Sequence, residues 1–238
     1  MKVIAIIPAR YASSRFPGKP LADLKGKTMI QRIYEQVKMC PDIDDVLIAT
    51  DDLRIADAAR LFGAPVVMTS PECRSGTDRV AQASRGLSAG AVINVQGDQV
   101  VLDRAALSGI AEELRQGSAM VTAAALARPE EYGDPNCVKV VCDLHGYALY
   151  FSRAPIPHAQ RSLQATVLKH IGIYGFSAET LARFTALEPA PLEMTESLEQ
   201  LRALENGIPI KVIIASGEFL EINTPEDRER ILKTWQDS

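Results

Sequence analysis

The stretch Val3-Ile4-Ala5-Ile6-Ile7-Pro8-Ala9-Arg10-Tyr11-Ala12-Ser13-Ser14-Arg15-Phe16-Pro17-Gly18-Lys19-Pro20 decides how this chain folds. Val3 to Ile7 is an unbroken apolar run of strand length, as expected of a strand covered on both faces. The residues from Pro8 to Pro20 pack three cations and two hydroxyls among prolines and a glycine, over a span too short for a helix. A basic, hydroxyl-bearing loop directly after a first strand belongs at the carboxyl edge of an α/β sheet, where such sheets bind ligands. Arg10, Arg15 and Lys19 can converge there on one anion, with Ser13, Ser14 and backbone N–H groups completing its hydrogen bonds. A triphosphate suits that set. The plainer alternative is a solvated basic loop, against which Pro8, Pro17 and Pro20 stiffen the segment.

Outward from this stretch, apolar runs alternate with helical periodicity. Met29, Ile30, Ile33, Tyr34 and Val37 recur at helical spacing, and strands are expected at Val46–Thr50, Pro65–Met68 and Ala91–Val95. A short helix ending at Gly63, a helix from Thr77 to Leu87, a helix over Arg104–Arg115 and a strand at Met120–Ala125 continue the order. Such alternation predicts an α/β, Rossmann-like fold with a mostly parallel central sheet. From Cys137 the pattern changes to closely spaced strands, Val138–Cys142, Tyr147–Phe151 and His170–Phe176, with Gly146 suited to a hairpin turn. This predicts one domain over residues 1–238 with an antiparallel inserted lobe at about 128–176, serving as lid and dimer surface. Helices at Ala178–Leu187 and Ser197–Glu205, a strand at Ile210–Ala215 and a closing helix Pro225–Trp235 complete the chain.

Composition narrows the function. The 26 Lys and Arg against 30 Asp and Glu leave a net charge of −4, which argues against a nucleic-acid partner and confines any basic patch to a small anion site. No apolar run has the length of a signal peptide or membrane span, so a cytoplasmic protein is expected. Cys40, Cys73, Cys137 and Cys142 lack metal-ligand spacing and read as reduced thiols, and the 3 histidines are scattered.

Two further segments carry chemistry. Gln96-Gly97-Asp98 closes an apolar strand, and a carboxylate at that tip, facing a triphosphate loop, is placed to hold Mg²⁺; alone it is equally a structural Gly-Asp turn. Arg74-Ser75-Gly76-Thr77-Asp78-Arg79 opens a helix, where Ser75 or Thr77 can cap and the N–H groups can hold an anion; a capped helix start with no ligand is the alternative.

These segments, with Asn94-Val95-Gln96-Gly97-Asp98, Tyr150 to Pro157, Lys169-His170-Ile171-Gly172-Ile173-Tyr174 and Glu196 to Arg202, stand in the order of one family. The chain resembles, end to end, the 3-deoxy-manno-octulosonate (Kdo) cytidylyltransferases. That resemblance implies a nucleotidyltransferase passing CMP from CTP to the anomeric hydroxyl of Kdo, Mg²⁺-dependent, usually homodimeric, and serving lipopolysaccharide or capsule synthesis. It implies that Arg10, Ser13, Arg15 and Lys19 bind the triphosphate, with Lys19, Arg10 and Asp98 catalytic. Arg74, Ser75 and Asp78 would belong to the nucleotide site, and Gln96 would meet both nucleotide and sugar. Arg153, His170, Tyr174, Glu199 and Gln200 would hold the sugar acid, and Asp98 the metal.

Two positions depart from the family pattern. Gly97-Asp98-Gln99-Val100 stands where the family has Gly-Asp-Glu-Pro, and Asn223-Thr224-Pro225-Glu226-Asp227 where it has Asp-Thr-Pro-Glu-Asp. Asn223 is therefore placed in the metal site as an uncharged oxygen donor, with Glu221 and Asp227 as possible substitutes for the missing charge. Either the acceptor is a different acid (8-amino-Kdo, another ulosonic acid or a phosphonate) or the substitution is tolerated. Sugar-1-phosphate nucleotidyltransferases share the architecture but open on a Gly-rich loop, and a nucleotide sensor without catalysis is the remaining rival.

Overall fold

The computed structural model describes residues 1–13, 15–162, 165–217 and 219–234. Ser14 and Trp235 lie outside them. The strands are β1 (Val3–Ala9), β2 (Asp23–Leu24), β3 (Lys27–Thr28), β4 (Asp45–Thr50), β5 (Val66–Met68), β6 (Ala91–Asn94), β7 (Gln99–Val101), β8 (Met120–Leu126), β9 (Lys139–Cys142), β10 (Ala148–Ser152), β11 (Leu168–Ser177), β12 (Ile210–Ile214) and β13 (Leu220–Glu221). The helices are α1 (Met29–Lys38), α2 (Leu53–Leu61), α3 (Gly76–Ser84), α4 (Arg104–Arg115), α5 (Ala178–Ala186), α6 (Pro191–Glu196), α7 (Leu201–Glu205) and α8 (Pro225–Thr234).

Among the described residues, nine strands form one mixed sheet. β6, β1, β4 and β5 lie side by side and parallel, and β12 is parallel to β8. Between these two parallel groups runs β11, antiparallel to β6 on one side and to β8 on the other. The lobe expected at about 128–176 thus contains the β9–β10 hairpin, while its last strand, β11, passes through the centre of the sheet.

Strand β1 shows why the sheet is covered twice. Val3, Ala5 and Ile7 join one core with the apolar sides of α1 and α4; Ile4 and Ile6 join the other with α3, α5 and α7. Alternation on a pleated strand sends neighbouring residues to opposite faces, so an all-apolar strand needs helices on both. The expected stripe of α1, Met29, Ile30, Ile33, Tyr34 and Val37, is buried, and Thr28 caps that helix by accepting from Gln31 N at 3.3 Å.

The helix expected over Ser197–Glu205 is shorter and later. Ser197 adopts φ 53°, a left-handed conformation that ends α6, and α7 resumes only at Leu201. Glu199 and Gln200 consequently sit in the turn between the two helices rather than on a helix face.

Candidate active site

Because β1 and β6 pair in parallel from Val3–Ala91 to Ile6–Asn94, the loops leaving them open on the same edge of the sheet. Their backbones nearly touch: a Cβ on Gly97 would stand 2.6 Å from the Pro8 carbonyl oxygen. Between them lies a cavity of about 220 Å³ with three walls. The first loop contributes Arg10, Ser13, Arg15 and Lys19; the start of α3 contributes Arg74, Ser75, Gly76 and Arg79; the turn after β6 contributes Gln96, Gly97 and Asp98. Among the described residues, Arg10, Arg15, Lys19, Arg74 and Arg79 against the one carboxylate Asp98 make it a receptor for a polyanion.

Each wall has its own support. Gly18, at φ 72°, lets the loop turn beneath the Tyr11 ring, whose carbonyl accepts from Gly18 N at 2.9 Å, and Arg54 stacks on that ring. The Lys19 ammonium is thereby carried to Asp98, with Nζ 3.1 Å from Oδ2, and donates also to the Ile222 carbonyl at 3.0 Å. Ser75 Oγ accepts from Asp78 N at 3.1 Å and caps α3. The Asp78 carboxylate turns from the cavity into a neighbouring hollow, where it pairs with Arg74 at 3.3 Å. Arg79 is 4% exposed and is held by the Thr69 hydroxyl and by Asp51, 3.0 Å away.

The segment 221–223 closes the site from the C-terminal side. β13 pairs with β7, opposing Glu221 to Gln99, and Ile222 N donates to the Asp98 carbonyl at 3.0 Å. Asn223 follows directly on Ile222, the residue bonded to Asp98. The Asp227 carboxylate accepts from the backbone N–H groups of Asn223 and Thr224, 3.0 and 3.1 Å away, and so caps α8. Glu221 keeps part of its surface open to solvent. Desolvation of its carboxyl, and then the charge of Asp98, push its pKa up.

Behind Gln96 stands a second group, on β11 and the α6–α7 turn. Tyr174 pairs in register with Asn94 of β6, and its hydroxyl donates to Gln200 Oε1 at 3.0 Å. Burial pushes the phenol pKa well up, and the charge of Glu199 adds to this. Glu199 accepts from Thr77 Oγ1 at 2.6 Å, and Thr77 in turn accepts from Asn94 Nδ2 at 3.3 Å. His170, edge-on to Phe151 and tilted on Tyr174, is 3.0 Å from Thr122 Oγ1; burial lowers its pKa to about 3. The Arg153 guanidinium is bound to the carbonyls of Pro135, Glu196 and Ser197, and its backbone N–H donates to the Glu196 carboxylate. It braces the turn that presents Glu199 and Gln200.

Comparison with known proteins gives the chain its family. The family described as Cytidylyltransferase matches residues 4–213. The 3-deoxy-manno-octulosonate cytidylyltransferase of Syntrophotalea carbinolica is 45% identical over 244 residues, covering 97% of each chain, and that of Desulfatibacillum aliphaticivorans is 46% identical over 238 residues at the same coverage. The solved structure of CMP:2-keto-3-deoxy-manno-octonic acid synthetase complexed with CTP superposes with a TM-score of 0.94 at 35% identity, covering 98% of each chain. The chain belongs to the Kdo cytidylyltransferase family. It is a nucleotidyltransferase, and its mixed, mostly parallel sheet is that of the family.

Within this family frame several lining groups escape a reading of the sequence. Arg79 is given no role of its own in the sequence reading; it is a buried cation of the cavity wall. Thr77 reads in the sequence only as a candidate helix cap and Asn94 only as the start of a family motif, yet the two connect the cavity to Glu199. Three buried side-chain atoms, Asn94 Oδ1, Gln99 Oε1 and Gln200 Nε2, have no hydrogen-bond partner among the described residues. In a packed interior such atoms mark places where a ligand, ion or water completes the bonding.

Proposed function

We propose that the chain transfers CMP from CTP to the anomeric hydroxyl of Kdo, giving CMP-Kdo and pyrophosphate, with Mg²⁺ as cofactor. The observation that carries this reading is the convergence of Lys19 and Asp98 in one cavity lined by four further cations. Arg10 and Arg15 neutralise the departing pyrophosphate and Lys19 the α-phosphate, while Arg74 and Ser75 at the start of α3 take the rest of the nucleotide and Asp78, outside the cavity, holds Arg74 in place. The sugar oxygen attacks the α-phosphorus in line, the bond to the β-phosphate oxygen breaks, and the hydroxyl proton passes to water. Glu199, Gln200, Tyr174 and neutral His170 offer hydrogen bonds to sugar hydroxyls, Gln96 stands at the junction, and a sugar carboxylate meets Arg153 at the turn it braces.

Asp98 and Asn223 fit Mg²⁺, since both present hard oxygen donors on neighbouring segments. Among the described residues no three His, Cys, Asp or Glu cluster as a metal cage, which suits an ion that takes its other ligands from phosphates and water. When bound, that ion supplies Lewis-acid charge at the phosphates.

We infer also that the molecule works as a homodimer through the β9–β10 lobe, where Leu144 and Leu149 are 102% and 62% exposed beside the edge strand β10. Light scattering reads this directly. The catalytic reading is tested by pyrophosphate release from CTP, Kdo and Mg²⁺, with UTP and other acids in place of the substrates. Lys19→Ala and Asp98→Ala are expected to abolish release with melting curves intact. Near wild-type turnover in either variant rejects the mechanism.

A further inference from the structure

Beside Asp98 lies a carboxylate that the proposed reaction has not used. Glu221 opposes Gln99 across the short β7–β13 ribbon, and Gln99 Nε2 donates to Glu221 Oε1 at 3.4 Å. Gln99 is fully buried, and the other atom of the amide that faces Glu221, Oε1, has no partner among the described residues. The hydrogen bonds that Glu221 accepts from amide nitrogens are long, 3.4 and 3.5 Å, so its charge is poorly matched and this corner suits a cation. Two residues on, Asn223 brings an oxygen but no charge, and its Nδ2 lies 3.5 Å from Glu221 Oε2. The cation that reaches this corner is Lys19, whose Nζ lies between Asp98 Oδ2 and the carbonyl of Ile222, the residue after Glu221.

We propose that Glu221 is the second anionic ligand of the divalent-cation site, and that the Lys19 ammonium holds this site until nucleotide phosphates draw it away. The proposal rests on the cytidylyltransferase reading for the identity of the ion. Two carboxylates that approach each other without a counter-charge repel, and either a lysine or a divalent ion relieves this. Both cannot occupy the same oxygens. A metal therefore binds weakly before the nucleotide and firmly after it, once Lys19 has turned to the phosphates.

The test is direct titration of the nucleotide-free protein with Mn²⁺, read as loss of the free-ion signal in electron paramagnetic resonance. Lys19→Met is expected to tighten Mn²⁺ binding about tenfold by removing the competing ammonium. On that background Glu221→Gln and Asp98→Asn are each expected to weaken binding by about tenfold or more. Asn223→Asp added to Lys19→Met/Glu221→Gln restores it. If Lys19→Met binds no tighter than wild type, or if Glu221→Gln leaves its affinity unchanged, the proposal is overturned. Because the titration reads the ion and not the product, it decides this point whatever a parallel assay for CMP-Kdo shows.

Discussion

The hydroxyl of Thr77 donates to the Glu199 carboxylate at 2.6 Å, although 122 residues separate them in the chain. Thr77 is the second residue of α3, directly after Gly76 of the cavity wall, and Glu199 lies in the turn beside Gln200. One hydrogen bond therefore ties the α3 wall of the cavity to the α6–α7 turn. The same hydroxyl accepts from Asn94 Nδ2, so Thr77 is bonded on both sides and 1% exposed. A group so fully engaged fixes its neighbours with little freedom to shift, which is what in-line attack between two bound substrates requires.

Thr77→Val keeps the shape and removes both bonds. It leaves the buried Asn94 amide without its partner, a loss expected to cost about 1–3 kcal/mol of stability. With Glu199 released, KM for the sugar acid is expected to rise about tenfold while KM for CTP changes little, each tenfold being about 1.4 kcal/mol of binding. Urea midpoints and steady-state kinetics with each substrate varied check this. An equal rise in both constants would mean that Thr77 serves only the fold.

Gly97→Ala asks whether the two loops must touch. The added Cβ would meet the Pro8 carbonyl at 2.6 Å, and both partners are backbone at the ends of buried strands, so neither yields cheaply. A loss of about 1–3 kcal/mol is expected from such overpacking. The cavity is expected to lose nucleotide affinity as the walls part. Calorimetric titration with CTP, set beside the melting temperature, reads both. Unaltered affinity would show that the walls are adjusted independently.

Most elements with a full turn of periodicity are legible in the sequence, and the reasons are local. The helix Arg104–Arg115 is read to the residue because both of its ends are marked. Asp103 opens it, its Oδ1 accepting from Ala105 N and Ala106 N, and Gly117 at φ 100° turns the chain away beyond its last residue. The ribbon β7–β13 is missed because two or three residues carry no period, and it is this ribbon that sets Glu221 opposite Gln99 and Ile222 against Asp98. The left-handed Ser197 is missed too, since nothing beside it announces the conformation. Of the anion site, the cations are legible by type and crowding. Arg79 is not, because its burial depends on Asp51 and Thr69 arriving from just beyond β4 and β5.

Glu131 anchors the start of the lobe to β11. Burial opposes its charge, but Lys169, 2.8 Å away, with the backbone and side chain of Arg128, lowers its pKa to about 2. A carboxyl depressed below its unfolded value of 4.5 gives stability that is present above that value and is lost as pH falls towards about 2. Glu131→Gln is therefore expected to destabilise by about 1–2 kcal/mol at pH 7 and to match wild type near pH 2. Denaturant midpoints across this range decide it; a deficit that persists at pH 2 would mean lost packing instead of lost charge.

His170 adds a second acid response in a different window. Its folded pKa of about 3 lies below the ordinary histidine value of 6.5, because burial against Phe151 and Tyr174 disfavours the imidazolium. Between those values the unfolded chain takes up a proton that the folded chain refuses, so stability falls as pH drops through 6.5 and continues to fall until about 3. The steepest possible slope is about 1.4 kcal/mol per pH unit for one proton. Glu131 titrates below the ordinary glutamate value of 4.5, so the interval from pH 7 to pH 5 isolates the histidine from it. His170→Gln can keep a hydrogen bond to Thr122 and has no proton to gain, so its urea midpoint is expected to change less over that interval than that of wild type. Equal slopes would place the imidazole in contact with water. A neutral His170 at pH 7 also neither donates nor receives a full charge during turnover, so replacing it is expected to change KM for the sugar acid and to leave the acidic limb of the kcat profile where it stands in wild type.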